Sequence, residues 1–262
     1  MCATCGCSTA EHGVDHEHGH EHAHDHEHAH DHEHAHDHDH LHVRISLEQD
    51  VLAKNDRIAA RNRALFVARG IAAFNFTSAP GSGKTALLQA LIKQIGGRFP
   101  LAVIEGDQET ARDADRIRST GAPVVQINTQ TGCHLDAQMV SAAVEALDPP
   151  RGALLLIENV GNLVCPALFD LGERVKAVIL SVTEGEDKPL KYLHMFRAAG
   201  IAVLTKIDLL PHLDYDLDKL IYHLEAVHPG VEHIAVSART GEGVEAVRDW
   251  FVRVASRAGA AV

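Results

Sequence analysis

From residue 43 onward the sequence predicts an α/β fold, a mostly parallel sheet covered by helices on both faces. Three observations carry this expectation. Strand-length apolar runs alternate with helix-length segments, and the runs are continuous, as strands buried on both faces require. A GSGKT stretch falls at a strand-to-helix junction. About 190 residues follow position 70, enough for one domain with a substantial core.

Taken in order, LEQDVLAKNDRIAARNRALFVARG has apolar residues at roughly helical spacing and predicts an amphipathic helix ending near Gly70, so that 43–70 reads as a linker and helix. Strands are expected over 71–77, 101–105, 124–128, 153–158, 175–182, 202–205 and 233–236. Helices fill the intervals, notably 85–95, 135–147, 216–227 and 244–257, and the folded domain spans 71–262.

The chain before position 43 is of another kind. The unit EHAHDH occurs three times in succession over 21–38, and histidine occupies every even position from 16 to 42: His16, His18, His20, His22, His24, His26, His28, His30, His32, His34, His36, His38, His40 and His42. The first 42 residues hold 10 of the 36 carboxylates and none of the 24 Lys and Arg, so a net charge of −12 falls to −2 beyond them. Nothing over 8–42 can build an apolar core, which predicts a disordered tail. If extended, it would set imidazoles about 6.6 Å apart along one side. Neutral imidazole suits Zn²⁺, Cu²⁺ and Ni²⁺, so the tail reads as a metal-binding segment; a merely solvating, pH-responsive tail is the plainer alternative.

At the start, residues 1–7 read MCATCGC. Cys2, Cys5 and Cys7 can wrap one soft or borderline ion, whereas five cysteines in 262 residues are too few for a secreted disulfide scaffold. A thioredoxin-like reading fails for want of a strand–helix unit around them. Neither a signal-peptide pattern nor a long apolar span is evident, which predicts a cytoplasmic location without membrane contact. The near-neutral folded part carries no basic excess that would suggest nucleic acid.

TSAPGSGKTALL has the context a P-loop needs, an apolar strand before it and a helix after it. Gly81, Ser82, Gly83, Lys84, Thr85 and Ala86 are the expected phosphate cradle. The glycines let backbone N–H groups curl around the phosphates, Lys84 reaches the β- and γ-phosphates, and the Thr85 hydroxyl meets Mg²⁺. Ser78 replaces the first glycine of the usual motif, making this a variant.

LTKID selects the base. Asp208 can accept from guanine N1–H and its exocyclic amine, a donor pair that adenine lacks. Lys206 would lay its stem over the ring, and the SARTGEG loop (Ser237, Ala238, Arg239) could meet the guanine oxygen with its backbone. Thr205 stands where the usual signature has Asn. GTP is the expected nucleotide, on a P-loop GTPase domain.

Two acids end intervening strands: Asp107 in IEGDQ and Glu158 in LIENVGN. Glu158-x-x-Gly161 occupies the place of a GTPase DxxG, which makes Glu158 a candidate Mg²⁺ partner and the Gly161 N–H a candidate γ-phosphate sensor. Asp107 could bind Mg²⁺ or orient the attacking water, and either carboxylate could instead only cap a helix or loop. With Lys84, these two form the expected catalytic set. No glutamine takes the water-positioning role in the Glu158 loop, so intrinsic hydrolysis should be slow, well below about one per second.

Cys133, followed by His134, and Cys165 remain. Either cysteine alone reads as a buried small hydrophobe. Together, in loops near one end of a parallel sheet, they could form a Cys-His-Cys set. Zinc usually takes four ligands in structural sites, so three would leave room for water or a ligand from another subunit.

The combination of CxxCxC, the His-rich tail, SAPGSGKT, EGDQET, TGCHLDA, ENVGNLVCP, EGEDKPLKY and TKIDLLPH resembles the hydrogenase nickel-incorporation GTPases, the hydrogenase maturation protein B family. The resemblance covers nearly the whole chain. It implies a GTP-hydrolysing metallochaperone that helps insert nickel into nickel–iron hydrogenase. Its partners would be a small zinc-containing nickel-binding protein and, indirectly, the hydrogenase large subunit. The resemblance assigns Cys2, Cys5 and Cys7 to an N-terminal nickel site and Cys133, His134 and Cys165 to a metal site on the GTPase domain. It also implies GTP- and metal-linked homodimerisation. The sequence departs at Thr205 and at Leu193, where proline is expected after PLKY. Urease accessory GTPases are a related alternative, and a nickel or zinc storage protein with secondary nucleotide binding is another. The N-terminal cysteines, EGEDKPLKY and NLVCP favour the hydrogenase branch.

Overall fold

The central strand β1 (Ala72–Ser78) is buried at all seven positions, the consequence of an apolar run with helices on both sides. The computed structural model describes residues 37–107, 112–130 and 132–257, with side chains from residue 49 onward, Arg112 excepted. Around β1 the chain runs α1 (Asp37–Arg69), β1, α2 (Lys84–Ile95), β2 (Leu101–Asp107), α3 (Arg112–Arg118), β3 (Val124–Asn128), α4 (Ala137–Leu147), β4 (Leu154–Glu158) and α5 (Cys165–Leu168). It continues through β5 (Val175–Ser181), α6 (Lys188–Lys191), α7 (Leu193–Ala198), β6 (Ile201–Thr205), a 3₁₀ helix (Ile207–His212), α8 (Leu217–Val227), β7 (Glu232–Val236) and α9 (Val244–Ser256).

The strands form one sheet in the order β3-β2-β4-β1-β5-β6-β7, every neighbouring pair parallel. Side-chain alternation splits β1 between two cores. Phe74 and Phe76 pack with Leu87, Leu91, Trp250 and Phe251 on the α2/α9 face, while Ala73 joins Phe66, Leu155, Ile157 and Val140 on the α1/α4 face. Phe74 meets Phe251 edge-on, with centroids 4.7 Å apart, and truncating a buried phenylalanine of this kind to alanine costs about 3–5 kcal/mol. A third cluster under α7 and α8 includes Phe196, Leu204, Leu220 and Leu224.

The expected strands all form, with ends shifted by a residue or two. Helix α4 starts at Ala137, not at 135, because the Asp136 side chain accepts from Met139 N at 2.7 Å and caps it. Helix α1 begins at Asp37, so the backbone of His38, His40 and His42 belongs to it; the side chains of these three lie outside the described residues, as do Cys2, Cys5, Cys7 and every histidine from His16 to His36.

The insertion of β4 between β2 and β1 positions the site. Its register sets Glu158 opposite Phe76 on one side and Glu105 on the other, at the carboxyl ends of three strands. Ligands of open α/β sheets bind at that edge.

Candidate nucleotide and metal site

The loop from β1 to α2 curls because Gly81 and Gly83 take positive φ, 73° and 88°, a conformation glycine adopts without steric cost. It borders a cavity of about 410 Å³ that Lys84, Thr85, Asp107, Glu158 and Gly161 also line. Lys84 Nζ lies 3.2 Å from Glu158 Oε1, and Thr85 Oγ1 donates to the same oxygen at 2.6 Å. A Cβ on Gly161 would come within 3.1 Å of Pro80 Cα, so the loop after β4 packs closely on the phosphate loop and a side chain here would push the two apart by a few tenths of an ångström.

The same cavity holds residues outside the sequence-predicted set. Glu105 is almost fully buried beside Glu158, and burial, followed by the charges of Glu158, Asp107 and Asp113, pushes its carboxyl up to about 8. Glu105 Oε2 and Glu158 Oε2 are both buried without a hydrogen-bond partner. Two such oxygens, with the Thr85 hydroxyl and Asp107 along the same wall, fit a hard divalent cation such as Mg²⁺, which takes oxygen ligands. A readable signal existed: Glu105 precedes Asp107 by two, so both project from the same face of β2. Asp113 and Arg116 reach the cavity from α3. Ser82 Oγ, assigned to the nucleotide, lies 2.8 Å from Ala79 O and 2.7 Å from Glu184 Oε1, and its one proton is shared between these acceptors.

A second cavity, about 260 Å³, shares Gly83 and Ala86 with the first and is completed by Thr205, Lys206, Asp208, Leu209, Ala238 and Arg239. Lys206 sits in the left-handed region at φ 61°, uncommon for a side-chain-bearing residue, and its Nζ donates to Gly81 O at 2.7 Å. The Thr205 hydroxyl donates to Ser82 O at 2.6 Å, so the variant residue fastens the end of β6 to the phosphate loop. Ser237 is fully buried and does not line the cavity; its hydroxyl donates to Asp208 Oδ1 at 2.6 Å and thereby aims the carboxylate. Arg239 lies 3.8 Å from the other Asp208 oxygen.

The third group assembles from two loops. Cys133, His134 and Cys165 bring their ligand atoms within 4.8 Å of one another. The two sulfurs are 3.1 Å apart without forming a disulfide, and Cys133 Sγ lies 3.6 Å from His134 Nδ1. Both cysteines are buried, and the His134 ring lies against Phe169 with centroids 3.9 Å apart. Burial lowers the His134 pKa, only partly opposed by Asp136, which keeps the imidazole in its neutral, ligating form. Two soft thiols and an imidazole suit zinc or nickel. Leu193 opens α7, a position at which proline would also be tolerated because a first-turn N–H has no partner within the helix. No helix among the described residues is long and apolar enough to cross a membrane.

Residues 72–235 match the family model described as CobW/HypB/UreG, nucleotide-binding domain. The hydrogenase maturation factor HypB of Azotobacter vinelandii is 60% identical over 205 residues, 78% of this chain and 68% of the relative. That of Escherichia coli strain K12 is 54% identical, over 77% of this chain and 70% of the relative. Among solved structures, the crystal structure of HypB from Helicobacter pylori in complex with nickel superposes with a TM-score of 0.73 at 35% identity, covering 78% of this chain and 96% of that one.

Proposed function

This chain belongs to the HypB family of hydrogenase maturation factors, and on that premise we propose that it is a GTP-hydrolysing nickel metallochaperone for nickel–iron hydrogenase, with nickel held in reserve by the histidine-rich tail. One observation carries the reading. One wall of the phosphate chamber and one ligand of the Cys-His-Cys cluster lie on the same short segment, with only Asn162, Leu163 and Val164 between Gly161 and Cys165.

Hydrolysis moves the γ-phosphoryl group to water and leaves GDP and phosphate. Lys84 exchanges its Glu158 partner for the β- and γ-phosphate oxygens, and the backbone of the glycine loop cradles them. Thr85, Glu158 and Glu105 would hold Mg²⁺, which would supply positive charge to offset that of the phosphates. Asp107 orients the attacking water, the Gly161 N–H reads the γ-phosphate, and Asp208, aimed by Ser237, reads guanine. The cluster passes nickel onward, with zinc as its other occupant. The protein works as a nucleotide- and metal-linked homodimer in the cytoplasm, alongside a small zinc-containing nickel-binding partner that serves the hydrogenase large subunit.

Measuring GTP turnover by the purified protein, and hydrogenase activity in a strain lacking it with and without excess nickel, tests this. The expected result is slow GTP-specific turnover and a hydrogenase defect that nickel partly relieves. Preference for ATP, or full hydrogenase activity in the deletion strain, would sink the reading.

A further inference from the structure

The loop bearing Cys133 and His134 is held by asparagine amides from two sides. On the nucleotide side, Asn162 Nδ2 donates to Cys133 O at 3.3 Å while Asn162 Oδ1 accepts from Val164 N at 2.8 Å. Asn159 Oδ1 accepts from both Leu135 N, at 3.1 Å, and Val160 N, at 2.9 Å. The Asn159 side chain is fully buried, and its Nδ2 donates to Asn75 Oδ1 on β1, the strand that leads into the phosphate loop. From α1, Asn55 Oδ1 accepts from Ala137 N at 2.9 Å and Asn62 Nδ2 donates to Ala137 O at 2.8 Å. Residues 133–135 are therefore tied to the segment that follows β4, and residue 137 to a long helix on the far side.

We propose that Asn159 and Asn162 are positioning residues that carry nucleotide state into the Cys133–His134 half of the cluster, while Asn55 and Asn62 hold the other end of that loop still. Cys165 follows Gly161 along the chain and needs no such link. Cys133 and His134 lie more than twenty residues away in sequence and reach that segment only through space. When the 158–165 segment shifts with the γ-phosphate, the two amides draw residues 133–135 with it. Ala137 stays fixed, so the shift becomes a turn of the loop about its end and changes how His134 faces the two sulfurs. The inference rests on the reading that nucleotide and metal sites are coupled, and such coupling is reciprocal.

The test uses the full chain with Cys2, Cys5 and Cys7 changed to serine, so that thiolate-to-nickel charge-transfer absorption reports only Cys133 and Cys165, the remaining cysteines. Free Ni²⁺ is fixed by a chelator buffer, so that the histidine tail does not distort the titration, and affinity is read with Mg²⁺ plus GDP or a non-hydrolysable GTP analogue. Before further substitution the two affinities should differ by about 5–150-fold. Asn162→Ala should keep the absorption band and collapse that ratio toward one. Asn162→Asp keeps the acceptor for Val164 N but lacks the donor to Cys133 O, and it should collapse the ratio as well. A ratio that survives in both variants overturns the proposal. One that falls in Asn162→Ala but survives in Asn162→Asp also overturns it, because the local turn and not the cross-loop bond would then be responsible. Equal affinities before either change refute the coupling reading itself, and the proposal with it.

Discussion

The phosphate cradle and the Cys-His-Cys cluster lie on the same edge of the sheet but are built differently. The cradle is one continuous stretch, 78–86, whose shape follows from glycines at positive φ and a helix that begins at Lys84. The cluster takes Cys133 and His134 from the loop after β3 and Cys165 from the start of α5, and it exists only because β4 lies beside β2. A site on consecutive residues tolerates change elsewhere in the fold. A site that bridges two loops inherits the motions of both, which would suit the ion transfer proposed for it.

Substitutions can separate the two. The largest effect should come from Lys84→Ala, which removes the cation nearest the transferred group. Phosphate release should fall about 10²–10³-fold, while the thiolate-to-nickel absorption of the cluster persists. Loss of the band in this variant would mean that the two sites are not separable.

Cys165→Ala is the converse. Losing an ion's direct ligand should weaken nickel at the cluster by at least about 10-fold, since disturbing even an outer partner costs about 10–100-fold. Buffered-nickel titration of protein carrying serine at the three N-terminal cysteine positions would show this, and unchanged affinity would remove Cys165 from the site.

Removing residues 1–36 leaves α1 whole and sharpens the contrast from outside the fold. Most weakly held nickel or zinc should disappear while GTP turnover continues. In the full chain that metal should come off between pH 7 and 5, because protonated imidazole, with an ordinary pKa of about 6.5, cannot ligate. Metal counts by emission spectroscopy at each pH would decide, and an undiminished count after removal would end the storage reading.

The smallest effect concerns Glu105. In the nucleotide- and metal-free protein its carboxyl titrates near 8, against an ordinary 4.5. The folded state thus keeps a proton that the unfolded chain has released, and stability falls as pH rises across that window. Glu105→Gln lacks this dependence. It should melt at the wild-type temperature near pH 4.5 and pull ahead as pH approaches 8, by about 2–4 °C for each kcal/mol involved. Parallel melting curves for the two proteins across that range would show that Glu105 is not held protonated.

Much of this was legible in the sequence, for a physical reason. Strand and helix periodicity, the GSGKT turn and the TKID stretch are local, so consecutive residues specify them, and Cys133, His134 and Cys165 could be singled out by residue type. What was not legible depended on partners distant in the chain. Asn159 bonds groups 24 and 84 positions away, and Ser237 proves to orient Asp208 from 29 residues off instead of lining the cleft. Thr205, odd against the usual signature, gains its meaning from a carbonyl 123 residues earlier. Side-chain chemistry and local backbone preference determined the glycine loop, the TKID stretch and the residue types of the cluster. Strand order, which brings Glu105 against Glu158 and the 133 loop against the 165 loop, was decided only when the apolar faces of the sheet found their helices.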